Sequence, residues 1–251
     1  MTMNNISCTG CLQDTELFPF TMAFQPVLDV ETRQIDAYEA LVRGPANEPA
    51  FQILSQVNAS NRYAFDQACR VKAVTLASSL GITCDLNINF LPNAVYEPRN
   101  CLRATLAAAR AQNFPLNHLT FEIVEHEDLS DIAHLQRIVT EYRAQGFKVA
   151  LDDFGIGYSG LVRLAELQPD IVKIDRALIQ DCDTTPTKRA IVRNITALAN
   201  ELGVKTVAEG VETAGEFLAL RAAGVRFMQG YALARPAFEA LIPASAITWP
   251  A

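Results

Sequence analysis

Histidine is scarce in this chain, with three among 251 residues, and cysteine occurs only six times. His118, His126 and His134 lie away from the cysteines and from the strand-end carboxylates described below. That separation removes the usual nitrogen and sulfur donors of a zinc centre. Cys8 and Cys11 form a lone CxxC in a polar N-terminal stretch. Without a second pair it reads as a segment with no redox or structural-metal role. Six thiols in a chain this long make no disulfide framework.

Positive charge is also in short supply: 21 Lys and Arg face 28 Asp and Glu, a net charge of −7. Affinity for polymeric nucleic acid comes from neutralising phosphates with Lys and Arg, so a general nucleic-acid binder is excluded. A phosphate-bearing ligand would need local cations. No cationic segment followed by an apolar one opens the chain, and no apolar run reaches the ~18 residues of a membrane helix. A cytoplasmic setting without a membrane segment is therefore expected.

What is present is a core-forming half: 50% of residues are hydrophobic. Residues 1–20 read as a lead-in and 244–251 as a tail, with one large domain over 21–243. Met22–Asp29 and Asp36–Arg43 are strand-like and separated by only a few residues. Parallel neighbours need a crossover of a dozen or more residues, so these two pair antiparallel. Helices over 49–58 and 62–80 follow, the second stopped at Gly81. Strands over 84–90, 119–125, 148–154, 170–175, 204–211 and 226–231 then alternate with helical stretches over 99–112, 130–145, 160–167, 187–202 and 213–223. A short helix over 237–242 closes the pattern. Alternation of this kind predicts an α/β fold, a TIM-like (β/α)8 barrel whose first strand runs backwards.

In such barrels chemistry sits at the C-terminal ends of the strands. Each strand from the second to the eighth carries polar groups there: Glu39, Asn89, Glu122, Asp152 with Asp153, Lys173 with Asp175, Glu209, and Gln229. Their neighbours are mostly apolar. Buried like charges need compensation. Hard oxygen donors suit Mg²⁺ or Mn²⁺. Five carboxylates are more than one ion needs, so two ions sharing Asp152 would balance the charge, a pairing suited to in-line attack at phosphorus. Lys173 would hold a water or neutralise developing charge.

Eight segments carry a resemblance: AFQPVLD, YEALVRG, INFLP, FEIVE, ALDDFGIGYSG, PDIVKID, VAEGVET and MQGYALARP. In this order they resemble the EAL-domain cyclic di-GMP phosphodiesterases over about residues 20–243. INFLPNAVYEP further resembles the EAL domains linked to BLUF blue-light sensors, although no flavin-binding module precedes it in this sequence.

The resemblance implies Mg²⁺- or Mn²⁺-dependent hydrolysis of cyclic di-GMP to linear 5′-pGpG, with two ions per site. By motif, Glu39, Asn89, Glu122 and Asp152 would bind one ion, and Asp152, Asp153 and Glu209 the other. Asn87, two residues before Asn89 on the same strand face, is the alternative ligand. Glu39, Lys173 and Glu209 would be the catalytic group, with Glu209 as a ligand or a general base. Gln25, Leu41 and Arg43 would contact substrate, Arg43 as a fork to phosphate. Asp175, Glu212 and Gln229 would support the site and its guanine pocket. For Asp175 the residues leave a structural role open, as partner of Lys173 or of a backbone amide, and for Gln25 that of an ordinary early-strand polar group.

Residues 153–160 would form a regulatory loop anchored by Glu125 and lying near a homodimer interface. Ile156 and Gly160 there, and Val124 near the anchor, depart from the commoner pattern. His126 reads as a solvated loop residue. An upstream sensor domain or partner is a further implication. The alternative to the enzyme is a catalytically silent cyclic di-GMP receptor acting through protein contacts. A different barrel enzyme working through an imine at Lys173 is disfavoured, because surrounding acids raise a lysine's pKa.

Overall fold

The computed structural model describes residues 17–95, 97–124, 132–157 and 159–250. The CxxC of Cys8 and Cys11, His126 and the loop anchor expected at Glu125 lie outside the described residues.

The chain opens with β1 (Thr21–Asp29) and β2 (Gln34–Arg43). They pair antiparallel, with a register shift between Val27 and Leu28. Helices α1 (Ala50–Leu54) and α2 (Arg62–Ser79) lead to β3 (Asp85–Phe90). Then come α3 (Pro98–Cys101), α4 (Arg103–Ala111), β4 (Leu119–Val124) and α5 (Ile132–Ala144). β5 (Lys148–Phe154), α6 (Gly160–Leu167), β6 (Ile171–Ile174), α7 (Arg176–Ile179) and α8 (Pro186–Glu201) follow. β7 (Lys205–Ala208), α9 (Ala214–Ala222), β8 (Phe227–Met228) and β9 (Ala237–Phe238) complete the order.

β2 through β8 are parallel neighbours in sequence order, and β1 closes the ring by pairing antiparallel with both β2 and β8. This is the expected TIM-like barrel with a reversed first strand. Several details differ from the sequence reading. β7 covers only Lys205–Ala208 of the expected 204–211 and β8 only Phe227–Met228 of 226–231, so Glu209 and Gln229 follow directly on their strands. Residues 237–242 hold no helix: Ala237–Phe238 is a strand pairing with Phe24 and Ala23. β8 reaches β1 only at Leu28 and Asp29. The other end of β1 therefore needs hydrogen-bond partners, and an extended β9 after Pro236 supplies them. The helix expected over 99–112 is split at Leu102 into α3 and α4.

Side chains alternate across each strand, so one set lines the barrel and the other meets the helices. Outside, Phe121 lies edge-on to Tyr142 at 4.8 Å and to Phe147 at 5.0 Å, fixing α5 against β4 and β5. Inside, Val27, Ala37, Ala150, Ile171 and Val207 form a separate buried apolar cluster against Phe227. Below it, at the N-terminal ends of the parallel strands, cations meet anions: Lys148 with Asp85, Lys205 with Asp36 at 2.8 Å, and Arg226 with Asp29 at 2.6 Å. The barrel floor is thus an apolar plug over paired charges. The other end is built differently.

A carboxylate ring around a buried lysine

Two residues further along the inward-facing set of each strand, the apolar plug gives way to polar groups. Ala37 leads to Glu39, Ala150 to Asp152, Ile171 to Lys173 and Val207 to Glu209. In the middle is Lys173, with no exposed surface. Its Nζ lies 2.6 Å from Glu209 Oε1, 2.9 Å from Glu122 Oε1, and 3.3 Å from both Glu39 Oε2 and Asp152 Oδ1. Four strands thus send a carboxylate to one ammonium.

Amides orient the acids. Asn89 Nδ2 donates to Glu39 Oε1 at 3.0 Å, and Gln229 Nε2 donates to Glu39 Oε2 at 2.9 Å. Asn87 Nδ2 donates to Glu122 Oε1 at 2.9 Å. Asn87 and Asn89 both point into the site, the first on Glu122 and the second on Glu39. The engagement of Asn87 was legible only as an alternative, because the residue two places away offers the same amide. Glu122 Oε2, Asn87 Oδ1 and Gln229 Oε1 are buried acceptors with no protein partner. Buried acceptors left without a partner beside this ring call for an ion or an ordered water.

β5 supplies the second acid by a bulge. Leu151 pairs with Val172 and Phe154 with Ile174, so the β5 segment holds one residue more than its partner. The extra residue lets Asp152 and Asp153 both serve the mouth, although neighbours on a regular strand would point to opposite faces. Asp153 takes φ 55°, in the left-handed region, and its amide donates to Asp152 Oδ1 at 3.0 Å. Asp152, Asp153 and Glu209 each bring a carboxylate oxygen within 4.8 Å of the others, a grouping able to hold a metal ion.

The charge states follow from burial. Burial pushes the Glu122 carboxyl well above the ordinary range, against the pull of Lys173. Glu209 is raised in the same way, by burial first, with Asp152, Glu39 and Glu122 adding to it. Burial would lower Lys173, but Asp152, Glu122, Glu209 and Glu39 outweigh it and hold the ammonium well above its usual pKa. An imine role for Lys173 therefore finds no support in its surroundings.

The remaining candidates sit around this ring. Gln25, opposite Glu39 in the β1–β2 register, donates from Nε2 to the Ala234 carbonyl at 3.1 Å. Leu41 and Arg43 continue the inward set of β2 toward its end, and Arg43 Nη1 donates to the Val42 carbonyl at 2.8 Å. Asp175 caps α7, its Oδ1 accepting from the Ala177 amide at 2.7 Å, the backbone-amide role left open by the sequence. Glu212 pairs with Arg176 at 2.6 Å, an engagement not legible from residue types alone.

The sequence model of the EAL domain family matches residues 13–236. The chain is 28% identical over 229 residues to the blue light- and temperature-regulated antirepressor BluF of Escherichia coli, covering 91% of this chain and 56% of that protein. It is 29% identical over 225 residues to the cyclic di-GMP phosphodiesterase PA2567 of Pseudomonas aeruginosa, covering 86% and 38%. The chain therefore spans about half or less of these two relatives' lengths. Among solved structures, a standalone EAL protein from Vibrio cholerae bound to c-di-GMP superposes with a TM-score of 0.89 at 48% identity, covering 93% of this chain and 98% of that one. A manganese and cy-diGMP complex of Klebsiella pneumoniae BlrP1 gives 0.84 at 31% identity, covering 90% and 58%.

Proposed function

This chain belongs to the EAL domain family, and from that premise and its site we propose that it is a metal-dependent phosphodiesterase that hydrolyses cyclic di-GMP to linear 5′-pGpG. The observation that carries the reading is the ring of acids about Lys173. Five carboxylates (Glu39, Glu122, Asp152, Asp153 and Glu209) against one ammonium leave four negative charges when all are ionised, the charge of two divalent cations. The acceptors are oxygens, which suits Mg²⁺ or Mn²⁺. The Klebsiella relative was solved as a complex with manganese and cy-diGMP, which supports a metal in this reading.

Glu39, Asn89, Glu122 and Asp152 would hold one ion, with Asn87 as the alternative amide. Asp152, Asp153 and Glu209 would hold the other. When bound, such ions polarise phosphoryl oxygens and make water a nucleophile near neutral pH.

The protein's own groups do the rest. Asn89 and Gln229 fix both oxygens of Glu39, which sets its orientation. Lys173 keeps a positive charge among the acids and opposes the negative charge that develops on the reacting phosphate. Gln25, Leu41 and Arg43 line one side for the dinucleotide, and Arg43 turns its fork from the Val42 carbonyl to a phosphate oxygen. Gln229 supports the site through Glu39, and Asp175 and Glu212 would support its guanine pocket. The apolar cluster beneath excludes water from below. Opening one P–O3′ bond with a water oxygen leaves a 3′-hydroxyl and a 5′-phosphate, which is 5′-pGpG.

No helix among the described residues is long and apolar enough to cross a membrane. We place the protein in the cytoplasm, as a homodimer working with a sensor domain or partner. Exposed Ile156 within the 153–160 loop and Leu161 and Val162 just after it support an apolar self-contact.

The test is turnover: purified protein, cyclic di-GMP and Mg²⁺ or Mn²⁺ in turn, with products separated by chromatography. We expect 5′-pGpG, and a loss of at least about a hundredfold in Glu39→Ala, since even outer partners of a metal site matter at that scale. Tight binding of cyclic di-GMP with no product in either metal would assign the silent-receptor role instead.

A further inference from the structure

Outside the barrel, the α2 side holds an ion pair that the mechanism above does not use. Arg70 Nη2 lies 2.7 Å from Asp66 Oδ2, with side chains 0% and 2% exposed. A buried ion pair of this kind is weak evidence for stability, because its desolvation offsets its attraction. Its contacts suggest another role. Asp66 Oδ1 accepts the Leu91 amide at 3.0 Å. Arg70 Nη1 donates to the Tyr142 hydroxyl at 3.3 Å, which ties the pair to α5.

Leu91 is where β3 loses its own support. The β2–β3 ladder ends at Ala40–Ile88 and the β3–β4 ladder at Phe90–Ile123. Leu91 offers the first amide beyond both ladders, and Pro92 after it has none. Two residues before Leu91 stands Asn89, whose amide reaches Glu39. We propose that Asp66 is a positioning residue for the proposed metal site: held by Arg70, its carboxylate fixes the chain at Leu91 and so sets the height of Asn89 against Glu39. Arg70 shapes Asp66, and Asp66 shapes the strand end. This rests on the proposed reading of Asn89 and Glu39 as metal-site groups.

The experiment compares manganese affinity, by calorimetry without substrate, in three forms of the whole chain. The first is unsubstituted. The second, Asp66→Leu with Arg70→Leu, replaces the pair with apolar groups and removes the acceptor for Leu91. Apolar replacement of a buried pair is commonly tolerated, so this form is expected to fold. The third, Asp66→Asn with Arg70→Gln, removes both charges but keeps an acceptor at Oδ1.

The expected result is manganese affinity about tenfold weaker in the apolar form, as for other outer partners of metal ligands, and restored to within about twofold in the neutral polar form. Thermal unfolding recorded beside each titration keeps stability apart from affinity. Unchanged affinity in the apolar form would overturn the proposal, and so would equal losses in both forms. Hydrogen exchange on the unsubstituted chain needs no variant: the Leu91 amide is expected to exchange slowly, and exchange as fast as exposed loop amides would also overturn it. Absence of manganese binding by the unsubstituted chain would instead end the reading of the site itself, and this proposal with it.

Discussion

Glu122 and Glu209 hold their protons to higher pH in the folded chain than in the unfolded one. Wherever the folded state binds more protons, stability falls as pH rises. The penalty is absent below the usual carboxylate value of 4.5 and grows as pH climbs toward the folded-state values. Lys173 contributes a favourable part that stays level over that range, because its own pKa is raised. The chain in EDTA is therefore expected to melt at lower temperature at pH 8 than at pH 5.5, with the slope reduced in Glu122→Gln. Metal ligands must shed such protons, so manganese binding should release protons and tighten as pH rises. Calorimetry in two buffers of different ionisation enthalpy measures both. Asp29 behaves in the opposite way: its bond to Arg226 holds it down to about 2. The stability it lends is present above its usual 3.8 and is lost as pH falls through about 2.

Just beyond β7 and β8 the chain is tightly packed against itself. A Cβ on Gly230 would stand 2.1 Å from the Val211 carbonyl oxygen and 2.3 Å from the Val211 nitrogen, both backbone atoms that cannot rotate away. Gly230→Ala must therefore push apart the segments carrying Gln229 and Glu209. We expect a loss of about 1–3 kcal/mol, the usual cost of overpacking, and a larger fall in turnover than in cyclic di-GMP binding. Chemical denaturation and steady-state kinetics would separate the two. The capping box of α9 braces the same region: buried Glu216 accepts the Glu212 and Thr213 amides, and also Asp181 from the loop after α7. The polar residues that ended each strand were legible because strands of alternating pattern have known ends. The bulge in β5 was not, since two adjacent acids read alike whether a strand is regular or kinked. Nor was β9, because residues 237–242 carry no signal that β1 still lacks a neighbour there.

Across the whole molecule the two ends of the barrel obey different electrostatics. At the floor Asp29, Asp36 and Asp85 each face a cation, while at the mouth, among the described residues, four acids surround the Lys173 ammonium. A ligand that binds only the folded state stabilises it by mass action. Manganese at a hundred times its dissociation constant should add about 2.7 kcal/mol, and Glu39→Gln should shrink the effect. Thermal melts over a manganese series test this. The sequence carried the barrel and its reversed first strand well, because both follow from alternation and from the short gap before β2. It carried the mouth less completely: which amide serves which acid depends on register, and register depends on closure of the ring. The extra residue between Leu151 and Phe154 has a wider bearing. A single-codon deletion there would iron β5 into an even ladder, leave the barrel standing, and put one acid where there are now two. A gene could in that way shed the chemistry and keep the shape, by a loss in length that a comparison of substituted positions alone would miss.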